Sequence, residues 1–207
     1  MRTITQIADL DEGRAYLSAA CPVWAAALPG LELPLRRRSD GFPAILDAII
    51  GQQISISAAG AIMARLEAAG LTTPPAIRAA GEDGLKACGV SRPKIRYLLG
   101  IAENEPDWLA LRNAPDEDVI TTLTALPGIG QWTAEIYLAF ALGRTDAFPA
   151  GDLALQEAAR SLYGLDARPG PKALTEMAEV WRPWRSVAAR ALWAHYRLAK
   201  GREGVRS

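Results

Sequence analysis

A glycine-containing turn, Leu126-Pro127-Gly128-Ile129-Gly130, lies between two segments of helical composition. Gly128 and Gly130 permit backbone angles closed to other residues, and their lack of side chains permits close approach by another molecule. The following segment begins with backbone N–H groups at the positive end of a helix dipole, which favours an anion there. A phosphate of a nucleic-acid backbone suits such a place. An ordinary tight turn between helices has the same residues, so this pattern alone leaves both interpretations open.

A second candidate residue is Asp152, which follows Gly151 and precedes a helical run. Aspartate is a preferred N-cap residue, so the position predicts a carboxylate that accepts hydrogen bonds from the first turn of a helix. The helix dipole favours the charged carboxylate, whereas burial would oppose it. A capping role and a chemical role are compatible at this residue.

The composition argues against several classes of protein. Cys21 and Cys88 are the only cysteines and lie 67 positions apart, so we expect no four-cysteine zinc site, iron–sulfur cluster or disulfide framework. No stretch approaches the roughly 18 apolar residues that span a membrane. Acidic residues interrupt the first twenty positions, where a secretory signal would be apolar. We therefore expect an intracellular, cytoplasmic protein without membrane association.

Charge is balanced over the whole chain but not along it. Lysine and arginine total 23, aspartate and glutamate total 23, and the net charge is zero. Residues 160–207 hold ten basic and four acidic side chains, a net charge of +6, so residues 1–159 carry −6. This asymmetry fits a surface that faces a polyanion, and it fits solvated helix faces equally well.

The elements that position the hairpin glycines and Asp152 are expected to be helices. Alanine occurs 39 times, and the alternation of residue types that is typical of strands is hard to find. The sequence predicts an all-α protein with helices over residues 44–50, 54–68, 92–103, 117–125, 131–142, 152–163, 171–181 and 184–200. In the last segment, the spacing of Val187, Ala191, Ala194 and Leu198 predicts one buried stripe.

Four strings occur in the order in which the base-excision DNA glycosylases carry them. They are Gly51-Gln52-Gln53-Ile54-Ser55, Leu126 to Ala134 (LPGIGQWTA), Phe148-Pro149-Ala150-Gly151-Asp152 and Trp181-Arg182-Pro183-Trp184-Arg185-Ser186. Over roughly residues 41–200 this ordered set resembles the AlkA-type 3-methyladenine DNA glycosylases of the helix–hairpin–helix superfamily.

The resemblance implies a two-lobed helix–hairpin–helix fold with the active site in the cleft between the lobes. Residues 41–144 would form the lobe that ends in the hairpin. Residues 1–40 plus 145–207 would form the second lobe, which carries Asp152. The larger AlkA-type enzymes have an N-terminal β-rich domain for which this chain has no room, so we expect the compact form.

Asp152 matches the catalytic aspartate of the family, and the resemblance implies that it stabilises positive charge on the sugar and orients or deprotonates water. Related bifunctional enzymes carry a Schiff-base lysine at the position of Trp132. No lysine lies between Arg112 and Arg160. We therefore expect a monofunctional glycosylase without lyase activity.

The resemblance also assigns a base pocket and DNA contacts. Trp132, Ile136 and Trp193 match pocket positions. An alkylated, cationic purine would stack on the aromatic rings of Trp132 and Trp193. A tyrosine is usual at the position of Ile136, and Tyr137 lies about 100° further round the helix. The DNA-binding residues would be Gln53, as a wedge that fills the gap left by a flipped nucleotide, and Gly128, Gly130, Gln131 and Thr133 of the hairpin. Alternatively, Gln52 and Gln53 satisfy backbone groups at a helix break.

Backbone carbonyls of Thr124, Leu126 and Ile129 would hold Na⁺ or K⁺ by the same resemblance, and no other cofactor is expected. His195 is expected to be a packed or surface residue rather than a general acid. The run Arg36-Arg37-Arg38 could contact phosphates, although such runs are usually solvated.

The predicted function is excision of alkylated purines such as 3-methyladenine from duplex DNA, by a monomer, leaving an abasic site in base-excision repair. Two alternatives stay open. One is a non-catalytic helix–hairpin–helix DNA-binding protein, and the other is a glycosylase for deaminated or oxidised bases.

Overall fold

A computed structural model describes residues 2–201, which are helical apart from turns and an isolated β-bridge between Thr3 and Arg144. The helices are α1 (Ile7–Ala20), α2 (Pro22–Ala27), α3 (Phe42–Gly51), α4 (Ile56–Ala68), α5 (Pro74–Ala87), α6 (Arg92–Glu103), α7 (Trp108–Asn113), α8 (Asp116–Thr124), α9 (Gln131–Ile136), α10 (Leu153–Tyr163), α11 (Pro171–Ala178) and α12 (Arg185–Lys200). Short 3₁₀ turns cover Leu28–Gly30 and Glu179–Trp181, and α9 continues as a π-helical segment over Tyr137–Ala141. The all-α prediction is confirmed.

Every helix predicted from the sequence is present, with ends displaced by a few residues. Four further helices, α1, α2, α5 and α7, were not predicted. In α5, Gly81 has a positive φ of 61°, so the helix is kinked and its sequence reads as interrupted. Arg202, Glu203 and Arg206, which contribute to the basic segment, lie outside the described residues.

The described chain divides into two compact units. The terminal unit comprises residues 2–37 and 138–201, and the central unit comprises Arg38–Tyr137. The central unit ends at Tyr137, whereas the sequence predicted an end near residue 144. Residues 138–144 belong to the terminal unit, and a hydrogen bond joins this segment to the N-terminal residues of that unit. There the Gly143 carbonyl accepts a hydrogen bond from the Ile4 N–H at 2.6 Å.

The terminal unit is organised around α12, which packs against α10 and α1. Gly13 permits the close approach of α1, because a Cβ atom there would lie 2.6 Å from Cγ2 of Val187 and 2.8 Å from the Trp184 ring. The predicted buried stripe holds through Ala194, whereas Leu198 is 69% exposed. Burial along α12 therefore ends after Ala194.

In the central unit α6 packs against α5 and α3, α4 packs against α3, and α8 packs against α9. The large aliphatic side chains of its core are at most 1% exposed: Ile45, Leu46, Ile49, Ile50, Leu66, Ile77, Leu85, Ile95, Leu98, Ile101, Val119 and Leu123. Within residues 2–201 no helix has the length and apolarity to cross a lipid bilayer.

Candidate functional site

The turn between α8 and α9 is a compact hairpin. The N–H of Leu126 donates to the Leu123 carbonyl at 3.0 Å, and the N–H of Ile129 donates to the Leu126 carbonyl at 3.2 Å. Two main-chain hydrogen bonds therefore fix the backbone between the two helices.

The two hairpin glycines differ in whether the fold requires a glycine. Gly128 has φ +79°, and a Cβ atom there would lie 2.4 Å from Cδ2 of Tyr97. Gly130 has φ −96°, which any residue adopts, and its added Cβ would meet nothing within 4 Å. The expectation of special backbone angles is thus right for Gly128 and wrong for Gly130, where the missing side chain leaves open space instead.

Side chains at the start of α9 differ in their exposure. Trp132 is 45% exposed, whereas Thr133 is buried. Exposed Gln131 donates a hydrogen bond from Nε2 to Oε1 of Glu135 at 3.0 Å. Burial raises the pKa of the Glu135 carboxyl.

The carbonyls of Thr124, Leu126 and Ile129 lie at the end of α8 and in the hairpin. The Thr124 carbonyl is one of the last four of its helix, which have no intrahelical partner. The Leu126 carbonyl accepts one hydrogen bond and retains a second lone pair. This donor set suits a monovalent cation. Across residues 2–201, histidine, cysteine and acidic side chains form no group of three or more that could hold a metal.

The turn between α3 and α4, residues 52–55, carries the predicted wedge; we call it the wedge loop. Gln53 is exposed and has φ +57°, a left-handed conformation that is costly for a residue with a side chain. Ile54 is 38% exposed beside it. Ser55 caps α4 by accepting a hydrogen bond from the Ala58 N–H at 3.2 Å.

Gln52 and Gln53 have separate tasks. Nε2 of Gln52 donates to the Gly128 carbonyl at 2.9 Å, so the wedge loop and the hairpin are joined directly. The alternative that both glutamines satisfy backbone groups is therefore right for Gln52, while the side chain of Gln53 is exposed.

The other two predicted pocket residues are each only 4% exposed: Ile136 on α9 and Trp193 on α12. The Trp193 ring lies 5.7 Å from the Phe140 ring, centroid to centroid, at an interplanar angle of 37°. The indole N–H of Trp193 finds no acceptor among the described residues.

Tyr137 has a structural role. Its hydroxyl donates to the Asp40 carboxylate and accepts a hydrogen bond from the Gly41 N–H at 3.1 Å. Burial, together with Asp40, raises the pKa of this phenol above its ordinary value. The hydroxyl therefore stays protonated and engaged with the start of α3.

Asp152 is the N-cap of α10, which confirms that prediction. Its Oδ1 accepts hydrogen bonds from the N–H groups of Ala154 at 2.8 Å and Leu155 at 3.1 Å, and the residue is partly exposed. Its own N–H donates to the Pro149 carbonyl at 2.9 Å. The carboxylate is thereby held in one orientation at the start of a helix.

Gln156 fixes the turn that leads into Asp152. It is buried, and its Nε2 donates to the Ala150 carbonyl at 2.9 Å. Sequence reasoning missed this residue. The available signal was a polar side chain on the apolar face of α10, where a buried amide needs a partner.

The string from Trp181 to Ser186 supports the chain that precedes this turn. Arg185 binds Asp146 with two hydrogen bonds, from Nε at 2.8 Å and from Nη2 at 2.9 Å. The N–H of Ser186 donates to the Thr145 carbonyl at 2.8 Å.

Arg190 was also missed by the sequence analysis. Its guanidinium lies 4.4 Å from the centroid of Phe140 and donates to the carbonyls of Ser186 at 3.1 Å and Ala139 at 3.0 Å. Burial lowers the pKa of Arg190 to about 10. It therefore tethers the π-helical segment to α12.

Part of the basic excess after residue 160 is neutralised within the chain. Arg160 pairs with Glu157 at 2.7 Å, and Arg185 pairs with Asp146 at 2.8 Å, two acidic residues that lie before residue 160. The net charge of +6 on residues 160–207 is therefore weaker evidence for a surface that binds a polyanion than its size suggests.

Two further basic candidates, His195 and Arg38, also have partners within the chain. Nε2 of His195 lies 3.3 Å from Oγ of Ser161, in a cavity of about 220 Å³ beside Arg160 and Lys200. Burial lowers the pKa of this histidine. In the arginine run, Arg38 pairs with Asp47 at 3.6 Å.

Comparison with known proteins places these features in a family. Residues 46–183 match the profile of the HhH-GPD superfamily base excision DNA repair proteins. The chain is 30% identical to DNA-3-methyladenine glycosylase 1 of Schizosaccharomyces pombe, over 97% of this chain and 93% of that protein. It is 27% identical to DNA-3-methyladenine glycosylase 2 of Escherichia coli, over 92% of this chain and 69% of that protein.

Solved structures give the same relationship. A crystal structure of DNA-3-methyladenine glycosidase from Bacillus halodurans superposes with a TM-score of 0.80 at 33% identity, covering 89% of each chain. The S. pombe 3-methyladenine DNA glycosylase Mag1 in complex with abasic DNA superposes with a TM-score of 0.78 at 29% identity, covering 91% of this chain and 97% of that one.

Proposed function

The chain belongs to the HhH-GPD superfamily of base excision DNA repair proteins, and on this basis we propose that it is an AlkA-type DNA N-glycosylase. It excises alkylated purines such as 3-methyladenine from duplex DNA and leaves an abasic site. The observation that carries the proposal is Asp152, a partly exposed carboxylate oriented by two backbone N–H groups at the start of α10. The names of its relatives, and the abasic DNA bound by one of them, support the alkylated-base substrate.

In the proposed reaction Asp152 acts electrostatically. As the bond between the sugar C1′ and the base nitrogen breaks, its electron pair leaves with the base and positive charge develops on the sugar. A carboxylate fixed before the reaction stabilises that charge without reorganising. Water then bonds to C1′ and loses a proton, for which the same carboxylate is the acceptor.

We propose that the reaction ends there, without strand cleavage. A lyase step needs an amine nucleophile that forms a Schiff base, and Trp132 stands where the bifunctional relatives carry lysine. Segment 113–159 contains no lysine.

Residues of the central unit are proposed to bind the DNA. The hairpin residues Gly128, Gly130, Gln131 and Thr133 would contact a phosphate, with Na⁺ or K⁺ on the neighbouring carbonyls neutralising charge. Gln53 would enter the base stack as the wedge.

The base pocket is proposed to use Trp132, Ile136 and Trp193. The indole N–H of Trp193, which has no acceptor within residues 2–201, would suit an acceptor atom of the base. We propose that the partner is duplex DNA with damaged bases within the cell and that the protein acts as a monomer.

The test is chromatography of bases released from globally methylated DNA. The wild-type protein should release methylated purines. Asp152→Asn should lower the release rate by about 10²–10³-fold, because one electrostatic stabiliser is lost while the amide still caps α10. Asp166→Asn, at an exposed aspartate of the same unit, is the matched control and should release base at the wild-type rate.

Three results would separate the alternatives. Salt-sensitive duplex binding without base release would indicate a non-catalytic binding protein. Release only from hypoxanthine-containing or oxidised duplexes would show that the substrates are deaminated or oxidised bases instead of alkylated purines. Cleavage of the strand by the purified protein would contradict the monofunctional assignment.

A further inference from the structure

One face of α6 contacts both DNA-facing segments of the central unit. Lys94, Tyr97 and Gly100 are spaced three residues apart and share this face. Lys94 reaches the wedge loop, the Tyr97 ring lies against Gly128, and Gly100 lies against Pro127. We call these three residues the α6 support.

Lys94 fixes the backbone immediately before Gln53. Its Nζ donates to the carbonyls of Ile50 and Gln52, each at 2.8 Å. The carbonyl of Gln52 belongs to the peptide group that joins it to Gln53, so this ammonium sets the plane of that peptide. Both carbonyls lie at the C-terminus of α3, where the helix dipole also favours a cation.

The side chain of Gln52 ties the residue before Gln53 to the hairpin. Its side-chain amide is bonded to the Gly128 carbonyl at 2.9 Å, and Gly128 is held against Tyr97. The left-handed conformation of Gln53 persists only where its surroundings impose it. Lys94 and Gln52 both make hydrogen bonds that act on the residue immediately before Gln53.

We propose that Lys94 and Gln52 are positioning residues that hold the wedge at a fixed place relative to the hairpin. This inference rests on the proposed function of the protein, because a wedge matters only if a nucleotide is flipped. A side chain inserted into the base stack must be placed accurately, and both contacts act on the backbone that presents it.

The first experiment measures the free protein by hydrogen exchange of a peptide that covers residues 50–55. Lys94→Met should accelerate exchange there, because the anchored backbone opens more often, and a peptide covering α10 should be unaffected. Lys86→Met removes an equivalent charge from α5 and is the matched control. Unchanged exchange at residues 50–55 in a folded Lys94→Met variant would overturn the inference, whether or not the protein proves to be a glycosylase.

The second experiment compares two substrates. In a fully paired duplex the wedge must replace the flipped base, whereas a lesion opposite an abasic site has no partner to be held apart. Lys94→Met and Gln52→Leu should each lower kcat/KM about tenfold on the paired duplex. On the duplex with an abasic site opposite the lesion, each should lower it less than about twofold. Lys94→Arg, which retains the cation and its donors, should recover most of the loss.

Equal losses on the two duplexes would show a general structural defect and overturn the positioning role. Absence of base release by the wild-type protein would refute the proposed function. The hydrogen-exchange result alone would then decide whether Lys94 holds the backbone of residues 50–55.

Discussion

Arg185 and Asp146 form a two-point contact, Nε to Oδ1 at 2.8 Å and Nη2 to Oδ2 at 2.9 Å. The Arg185 side chain is 14% exposed, so solvent screens this pair only partly. Asp146 precedes the turn that carries Asp152. The contact therefore joins the beginning of α12 to the approach to the candidate catalytic residue.

Replacing Arg185 by lysine should lower the free energy of unfolding by about 1–3 kcal/mol, because an ammonium cannot make the planar two-point contact and the pair is largely buried. Urea unfolding measures the loss. Arg182→Lys is the matched control: its side chain is 52% exposed, with Nη1 3.7 Å from Asp146, and it should change stability by less than about 0.5 kcal/mol. Equal effects of the two substitutions would contradict a special role for Arg185.

The hairpin glycines provide a second matched pair. Gly128→Ala should destabilise the protein by about 1–3 kcal/mol, because alanine would have to adopt the positive φ of this position and its methyl group would collide with Tyr97. Gly130→Ala should leave the free energy of unfolding within about 0.5 kcal/mol, since its φ is ordinary and its surroundings are open.

At Gly130, DNA affinity and stability should respond differently to the added methyl group. If Gly130 faces a phosphate as proposed, its methyl variant should bind duplex DNA more weakly while remaining as stable as the wild type. Fluorescence anisotropy at fixed salt measures this. Wild-type affinity in Gly130→Ala would remove the residue from the interface.

The two tasks of Asp152 can be separated by comparing two replacements. Asp152→Ala removes the cap and should lower the free energy of unfolding by about 0.5–2 kcal/mol, whereas Asp152→Asn should cost less because asparagine caps helices nearly as well. Both should lose base release, because both lack the negative charge. Thermal unfolding beside the chromatographic assay tests this, and activity in Asp152→Asn would argue that capping is the only role.

His195 predicts a pH dependence of stability. Burial lowers its pKa in the folded protein, so the unfolded chain binds more protons between the folded value and the unfolded value near 6.5. Its contribution to stability is therefore complete above the unfolded pKa and declines as the pH falls through that window.

The urea midpoint of the wild type should accordingly fall more between pH 7.5 and pH 5.5 than that of His195→Asn. Because the chain has a single histidine, NMR titration of its ring protons reports the pKa directly. A folded-state value above 6.5 would contradict the prediction.

Local signals in the sequence were sufficient for much of the fold and for the candidate site. A Gly–Asp pair before an amphipathic run predicted the cap at Asp152, and the hairpin turn was visible as two glycines between helical segments. Contacts between distant residues were not predictable in this way. Lys94 is far along the chain from the carbonyls that it binds, and nothing in its neighbours distinguishes it from a solvated lysine.

Missed helices have a similar physical explanation. Helix α5 begins with Pro74 and Pro75 and contains two glycines, residues that usually mark breaks. Its packing against α6 outweighs those local preferences. The π-helical turn after Ile136 likewise depends on tertiary contacts, such as the one that Arg190 makes with the Ala139 carbonyl, rather than on local sequence.

The contacts that hold the wedge loop all act on residue 52 or on main-chain atoms, and none of those described here uses the side chain of residue 53. The backbone conformation of the wedge loop is thus independent of which side chain stands at position 53. Evolution or design could exchange the amide at position 53 for an aliphatic or basic group without rebuilding the surrounding scaffold, and preference for the opposite base could drift while the scaffold stays unchanged.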